Sequence, residues 1–192
     1  MKQLGSAKFT IVSSAAAASV YLVMIFWTLQ HLRQVAGVPP FDMQPLGYSV
    51  LEARQLLTAL GKQGRHYYLT YQIPLDLIYP ALLALTLISI LRWSAGRAGF
   101  PRAIRAGIPL ALGAATLDYL ENAFVAAMLI EGPGCSEILI RLASAATMLK
   151  SLATTAALIA VLLVCTSILW RYICSLLGGN SILAKRHDSN IR

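Results

Sequence analysis

Four apolar segments of about 20 residues or more dominate this chain, and they lie at 9–32, 73–91, 106–130 and 138–170. A helix of about 20 residues is long enough to cross the hydrocarbon core of a bilayer. Hydrophobic residues make up 57% of the 192 residues and charged residues only 12%, whereas soluble domains average about 25% charged residues. The sequence therefore predicts an all-α polytopic membrane protein in which four transmembrane helices form one bundle over residues 1–177.

The last apolar segment is longer than one crossing requires. Residues 151–170 contain no charged side chain and are sufficient for a span. We therefore expect residues 138–150 to be a helical extension that either leaves the membrane or lies on its surface. The glycines and polar residues that follow predict a flexible cytoplasmic tail over residues 178–192.

The positions of lysine and arginine predict the orientation of the bundle. Short cytoplasmic segments of membrane proteins are enriched in these residues. One predicted end of the bundle holds most of the 16 basic residues in short segments, so we expect both termini on the cytoplasmic side of a bacterial inner membrane. The basic residues at that end are Lys2, Lys8, Arg92, Arg97, Arg102, Arg105, Arg171, Lys185, Arg186 and Arg192.

The connection over residues 33–72 then faces outward. Apolar residues between positions 48 and 60 recur at helical spacing, which predicts a short amphipathic helix that either lies on the membrane or caps the bundle. Gly61 and Gly64 are predicted to end this helix. We interpret the polar residues that follow as a lid or an interfacial belt, and they are Arg65, His66 and Tyr68.

Three acidic residues fall inside the predicted spans, where each charged side chain costs roughly 2.5–3.5 kcal/mol on insertion scales. At a helical rise of about 1.5 Å per residue, Asp76 and Glu121 both lie roughly 24 Å from the cytoplasmic edge. Asp118, Glu121 and Asn122 share one helix face because they are three and four residues apart. We predict a ligand- or ion-binding site that consists of Asp76, Tyr79, Asp118, Glu121, Asn122 and Lys150.

The sequence leaves two interpretations of this cluster open. In the first, the acids pair with Lys150, Asn122, Arg65 and tyrosine hydroxyls, and only hold the helices in register. In the second, the cluster lines a water-accessible pocket that opens outward under a lid formed by residues 48–71, because three acids exceed the one lysine near them. An unpaired carboxylate at low dielectric takes up a proton or binds a cation.

Several function classes find no support in the sequence. The net charge of +8 comes from cations beside apolar segments and not from one basic patch, so we do not expect nucleic-acid binding. The three cysteines have no CxxC spacing, and the sequence contains no nucleotide-binding glycine loop and no zinc-binding motif. His31 and His66 both fall near the outward edge, but two ligands are a weak basis for a metal or haem. We therefore expect no metal and no cofactor.

Between residues 45 and 155 a set of glycine, aromatic and polar positions forms a pattern. Its members are Gly47, Tyr48, Glu52, Ala53, Leu60, Gly61, Gly64, Arg65, Tyr68, Asp76, Pro80, Asp118, Glu121 and Asn122. This pattern resembles a family of small four-helix bacterial inner-membrane proteins to which no activity is attached. The resemblance implies only that these positions belong together.

Three functional hypotheses follow. The leading one is binding of a small polar or lipid-like ligand, or of a proton or cation, at the acidic cluster. The second is an accessory subunit of a larger membrane complex or a homo-oligomer, because small-residue stripes such as 15–18 let another helix approach closely. The third is an enzyme that acts on lipid or quinone, for which no nucleophile–base pair is visible in the sequence. The lipid bilayer is the one partner common to all three.

Overall fold

Helices make up almost all of the chain that the computed structural model describes, which is residues 5–95, 97 and 101–188, with side chains to residue 176. These residues contain no strand, and the predicted all-α class is confirmed. The helices are α1 (Ala7–Val23), α2 (Leu29–Ala36), α3 (Val50–Tyr67), α4 (Ile73–Ser94), α5 (Pro101–Glu131) and α6 (Glu137–Asp188).

Three stretches of the described chain are long and apolar enough to cross a membrane. They are Ala7–Ala36, Val50–Ser94 and Glu137–Leu176. α5 has the length of a span, but Asp118 and Glu121 lie within its apolar stretch and lower its mean hydropathy. These polar residues explain why α5 is not among the three candidate spans.

Two π-helical turns connect the outward segments to the long helices. Met24–Thr28 joins α1 to α2, and Tyr68–Gln72 joins α3 to α4. The turns lie side by side, and the buried Thr28 hydroxyl donates to the side-chain oxygen of Gln72. Because π-turns occur frequently at functional sites, this pair directs attention to the region beneath them.

α3 covers one end of the bundle. A capping box starts this helix, since the Ser49 side chain accepts from the Glu52 backbone N–H and the Glu52 carboxylate accepts from the Ser49 backbone N–H at 2.7 Å. Its apolar face packs into the same core as the ends of α2, α5 and α6. Of the two sequence-based alternatives, capping of the bundle therefore describes α3 better than lying on the membrane.

The two glycines of α3 behave differently. Gly61 interrupts the helix with φ 58° and ψ −169°, a conformation that residues with a Cβ rarely adopt. The predicted stop at Gly64 is wrong, because the helix resumes and continues to Tyr67. A Cβ on Gly64 would lie 3.1 Å from Leu60 Cβ and 3.4 Å from Val35 Cγ1, so this glycine lets α3 approach α2 closely.

The long helices pack in sequence, α1 against α4, α4 against α5, and α5 along most of its length against α6. α4, α5 and α6 meet closely at Gly107, where a Cβ would lie 2.7 Å from Leu91 Cδ1 and 3.2 Å from Ala160 Cβ. In the described residues α1 and α6 have at most marginal contact with each other. The bundle is therefore open along the side between α1 and α6.

The first part of α6 packs against the bundle. Ile140 and Ala143 are fully buried, and the Ser144 hydroxyl accepts from the Tyr48 backbone N–H at 2.9 Å. Residues 138–150 are thus helical and pack against the bundle, while their position relative to the membrane stays a prediction. The α6 backbone continues to Asp188, beyond the start of the predicted tail at 178. The flexibility of residues 178–192 stays a prediction, and residues 189–192 lie outside the described part.

Basic residues gather at the end of the bundle opposite α3. Gly5 lies beside Arg92, and the Arg171 guanidinium donates to the backbone oxygen of Arg97 at 3.0 Å. The N-terminus of α1, the C-terminus of α4 and the part of α6 around Arg171 therefore share one end. Lys2, Arg192 and the side chains of Lys185 and Arg186 lie outside the described residues.

Replacing Gly47 by alanine should lower the free energy of unfolding by about 1–3 kcal/mol. Gly47 has φ +82°, and a Cβ there would lie 2.6 Å from Ser144 Oγ, the atom that accepts the hydrogen bond from the Tyr48 backbone N–H. Denaturant unfolding in detergent micelles measures the change. Gly113→Ala is the control, since Gly113 has an ordinary helical φ and no other group within 4 Å of its Cβ position. Equal effects of the two substitutions would contradict this account of Gly47.

Candidate functional site

A buried ion-pair cluster connects α5 to α6. Lys150 Nζ lies 2.8 Å from Asp118 Oδ1 and also contacts Glu121 Oε2. The other oxygen of Glu121 accepts from the Thr147 hydroxyl. Both acids are more than nine-tenths buried, with 6% of Asp118 and 1% of Glu121 exposed. Two acids and one lysine of the predicted site are therefore brought together and largely satisfy one another.

Asn122 connects α5 to α4 through the backbone. Its Nδ2 donates to the carbonyl oxygen of Asp76 at 2.8 Å. That oxygen lacks its usual helical donor because the residue four positions later is Pro80, which has no N–H. Asn122 therefore supplies the hydrogen bond that Pro80 cannot donate, and this structural contact occupies its side-chain amide. Three residues before Asn122 on α5, the Tyr119 hydroxyl donates at 2.9 Å to the carbonyl of Leu77, the residue that follows Asp76.

The side chain of Asp76 differs from those of the other two acids. Only 2% of Asp76 is exposed, and its Oδ2 has no hydrogen-bond partner in the described part of the chain. Lys150 pairs with Asp118 and Glu121 but not with Asp76. A buried carboxylate without a partner is costly. Glu121 Oε2 also lacks a hydrogen bond among the described residues but contacts Lys150, whereas Asp76 Oδ2 has neither a hydrogen bond nor a salt bridge there.

A fourth carboxylate, which sequence analysis missed, faces the same space. Asp42 lies in the short 3₁₀-helix Phe41–Met43 and accepts from the hydroxyl of the fully buried Tyr68. Asp42 and Asp76 both line one cavity. The only sequence signal was an acid directly after Pro39, Pro40 and Phe41, which predicts a turn but not the direction of its side chain.

The cavity that holds these carboxylates has a volume of about 440 Å³. Its walls come from α1, the first π-turn, the start of α2, the segment 42–45, α4, α5 and α6. Its lining residues are Tyr21, Met24, Ile25, Leu29, Asp42, Met43, Pro45, Asp76, Tyr79, Leu83, Asp118, Lys150, Ser151, Thr154 and Thr155. Four residues of the predicted site, Asp76, Tyr79, Asp118 and Lys150, therefore border one space, whereas Glu121 and Asn122 do not line it.

The residues predicted as a lid do not act as one group. Arg65 Nη1 donates to the Leu57 carbonyl at 3.2 Å, and the Arg65 guanidinium packs against Gly132. His66 is exposed, with Nε2 3.5 Å from the Thr70 hydroxyl. Of the three, Tyr68 alone reaches the site, through Asp42. The segment 42–45 covers the cavity in their place.

Tyr48 lies directly outside the spans, beside the ion-pair cluster. Burial raises the pKa of its hydroxyl, and the negative charge of Glu121 raises it further. Tyr48 therefore stays neutral and adds no charge to the site.

The histidines of the described residues do not belong to a metal-binding group. The His31 ring lies 4.3 Å from the Tyr67 ring, centroid to centroid. Within the described residues, no group of three or more His, Cys, Asp or Glu side chains is arranged to hold a metal ion. The site consists instead of carboxylates, one ammonium group, hydroxyls and aromatic rings, which can bind a cation or exchange a proton.

Comparisons with known proteins find no matching family model, no matching curated protein and no matching solved structure. The resemblance of residues 45–155 to small four-helix membrane proteins therefore stays a prediction. The fold defines a helical protein with three candidate membrane spans, and its chemistry has to be argued from the site itself.

Proposed function

We propose that this protein is a four-span inner-membrane bundle that binds a small polar or lipid-like ligand, or a proton or cation, at the cavity around Asp76. One observation carries the proposal. Asp76 is almost fully buried, lacks a hydrogen-bond partner at Oδ2 among the described residues, and lines a cavity of about 440 Å³. A buried ionisable residue that lowers stability in this way is usually retained because it serves a function.

The membrane part of the proposal rests on α5 as a fourth span. Asp118, Glu121 and Asn122 contact α6 or α4, so the charged groups of α5 are turned away from lipid. Leu112 and Leu120 are exposed on the same helix, as a lipid-facing surface requires. Basic residues at the end of the bundle that holds Arg92, Arg97 and Arg171 favour a cytoplasmic location for that end.

A purely structural role, as in an accessory subunit, is the second candidate. The contacts of Lys150 with Asp118 and Glu121 favour it, because these groups hold α5 and α6 in register. That role accounts for those three residues and for Asn122. It gives no reason for Asp76 or for Asp42 beside it in the cavity. The ligand-binding proposal includes both acids.

A cysteine at position 154 tests whether the cavity admits a cation from water. Thr154 lines the cavity and is half-buried. In a chain with Cys165 and Cys174 replaced by alanine, Thr154→Cys should react faster with a trimethylammonium methanethiosulfonate than with a sulfonate analogue. After normalisation to a small thiol in solution we expect a rate ratio of at least about 10, because a carboxylate-lined cleft concentrates cations. Mass spectrometry of the intact protein measures the modified fraction over time.

Leu162→Cys serves as the control for this labelling. Leu162 is 61% exposed on the same helix, so a thiol there faces lipid and should react slowly with either reagent, because only the thiolate is reactive. Failure of Thr154→Cys to react above this control would contradict a water-accessible cavity. Equal normalised rates for the two reagents would contradict cation binding.

A further inference from the structure

The cavity has an entrance on the side of the bundle. α1 and α6 have at most marginal contact in the described residues, and the cavity takes part of its lining from each of them. Tyr21 on α1 and Thr155 on α6 are both exposed, and both line the cavity. In a four-span bundle this opening faces the hydrocarbon region, so a molecule dissolved in the bilayer can reach the carboxylates without crossing the outward cap.

Two aromatic rings stand beside the acids. The Tyr21 and Tyr79 rings stack with centroids 5.5 Å apart and an interplanar angle of 28°, and both rings line the cavity. Aromatic faces next to carboxylates are the usual environment for an alkylammonium group, which gains from cation–π attraction and from charge pairing. Apolar side chains near these rings, including Met24, Ile25 and Leu83, leave space for a hydrocarbon tail.

The charge balance of the cavity selects the sign of the ligand. Lys150 is the only basic residue in the lining and is already paired with Asp118 and Glu121. Asp42 and Asp76 lie close to each other, and neither forms a salt bridge with this lysine in the described residues. A phosphate or carboxylate on the ligand would meet like charge without a free cation, whereas a single ammonium group would be attracted.

We infer that the ligand is an amphiphile with one ammonium headgroup and an alkyl tail, which enters from the bilayer between α1 and α6. The ammonium group has the carboxylates of Asp42 and Asp76 on one side and the rings of Tyr21 and Tyr79 on the other. The tail extends along the apolar wall. This inference rests on the proposed ligand-binding function and adds the chemical class of the ligand and its route.

Protection of Thr154→Cys from the cationic methanethiosulfonate tests this ligand class in phosphatidylcholine nanodiscs. Dodecyltrimethylammonium is the probe, tetramethylammonium has the headgroup without a tail, and dodecylphosphocholine has the tail with a zwitterionic head. We expect dodecyltrimethylammonium to halve the labelling rate at a concentration at least about tenfold lower than either comparison compound. Burial of a few methylene groups of the tail suffices for this difference from tetramethylammonium. The phosphate of dodecylphosphocholine would meet the like charge of the carboxylates. Equal protection by tetramethylammonium would overturn the amphiphile, and equal protection by dodecylphosphocholine would overturn the selection for net positive charge.

The lateral route has its own variant. Thr155→Trp places a larger side chain in the opening between α1 and α6. It should slow the onset of protection by dodecyltrimethylammonium at least about tenfold, because an obstructed entrance lowers the association rate of the ligand. Leu158→Trp, on an exposed residue outside the cavity, should not change that onset. Unchanged onset in Thr155→Trp would overturn the lateral entrance. If Thr154→Cys is labelled with a cation preference but the amphiphile gives no protection, this inference fails while the proposed function stands.

Discussion

Replacing Lys150 by methionine should lower the free energy of unfolding by about 3–5 kcal/mol at pH 8. Lys150 is the cation shared by Asp118 and Glu121, both more than nine-tenths buried, and methionine keeps the length of the side chain without its charge. The loss should shrink towards pH 5, because protonated carboxyl groups no longer need a cation. Urea unfolding in mixed micelles at the two pH values measures both effects.

Two further variants control this experiment. Lys62→Met removes an exposed lysine from α3 and should change stability by less than about 0.5 kcal/mol. Adding Asp118→Asn and Glu121→Gln to Lys150→Met should recover most of the loss, because replacing a whole buried ionic group by neutral residues is often neutral. A Lys150→Met protein as stable as Lys62→Met would show that the cluster does not hold α5 and α6 together.

Asp76→Asn and Glu121→Gln should shift stability in opposite directions, although both remove one carboxylate from the same region. Asp76→Asn should leave the free energy of unfolding unchanged or raise it by about 1–3 kcal/mol, because the wild-type Oδ2 has no partner. Glu121→Gln should lower it by about 3 kcal/mol or more, because Lys150 loses one of its two acids and Thr147 loses its charged acceptor.

The same unfolding assay at pH 7 compares these two variants side by side. Since the substitutions are chemically alike, their difference reports the surroundings of each carboxylate. A loss for Asp76→Asn as large as that for Glu121→Gln would mean that Asp76 has a native partner, and the purely structural role would then account for the whole cluster.

The long helices could be predicted because membrane spans are encoded locally. An apolar run of about 20 residues needs no distant partner to be recognised, and three of the four predicted segments lie in stretches that qualify as spans. The hydropathy of α5 is too low to qualify by the same local measure, because the contacts that satisfy its polar residues come from α4 and α6 and are not visible in its own sequence. The stop at Gly64 was misplaced because the reason for that glycine is contact with Val35 on another helix, which no local pattern contains.

Within the site, depth could be predicted but pairing could not. Counting residues indicated that Asp76 and Glu121 lie at similar depth, and the Asn122 bond to the Asp76 carbonyl links the same levels of α4 and α5. Which acids Lys150 would contact depends on helix rotation and on the reach of a flexible side chain. Neither quantity follows from spacing along one helix.

Asp42 could not be predicted because its position depends on the return of the chain after α2. The segment has no helical or strand periodicity, and an acid beside two prolines usually indicates only an exposed turn. Its contact with Tyr68 and its place in the cavity arise when α3 folds back over the bundle. The structural role of Asn122 could not be predicted for a similar reason, since Pro80 frees a carbonyl locally but the donor comes from another helix.

We propose that Asp76 attracts a cation into the cavity, and one comparison tests this most directly. The ratio of cationic to anionic labelling of Thr154→Cys is measured with and without the second substitution Asp76→Asn. Glu131→Gln is the control, since Glu131 is an exposed acid at the C-terminal end of α5. The account predicts that the ratio falls from at least about 10 to near 1 with Asp76→Asn and does not change with Glu131→Gln. A ratio that survives Asp76→Asn would contradict the claim.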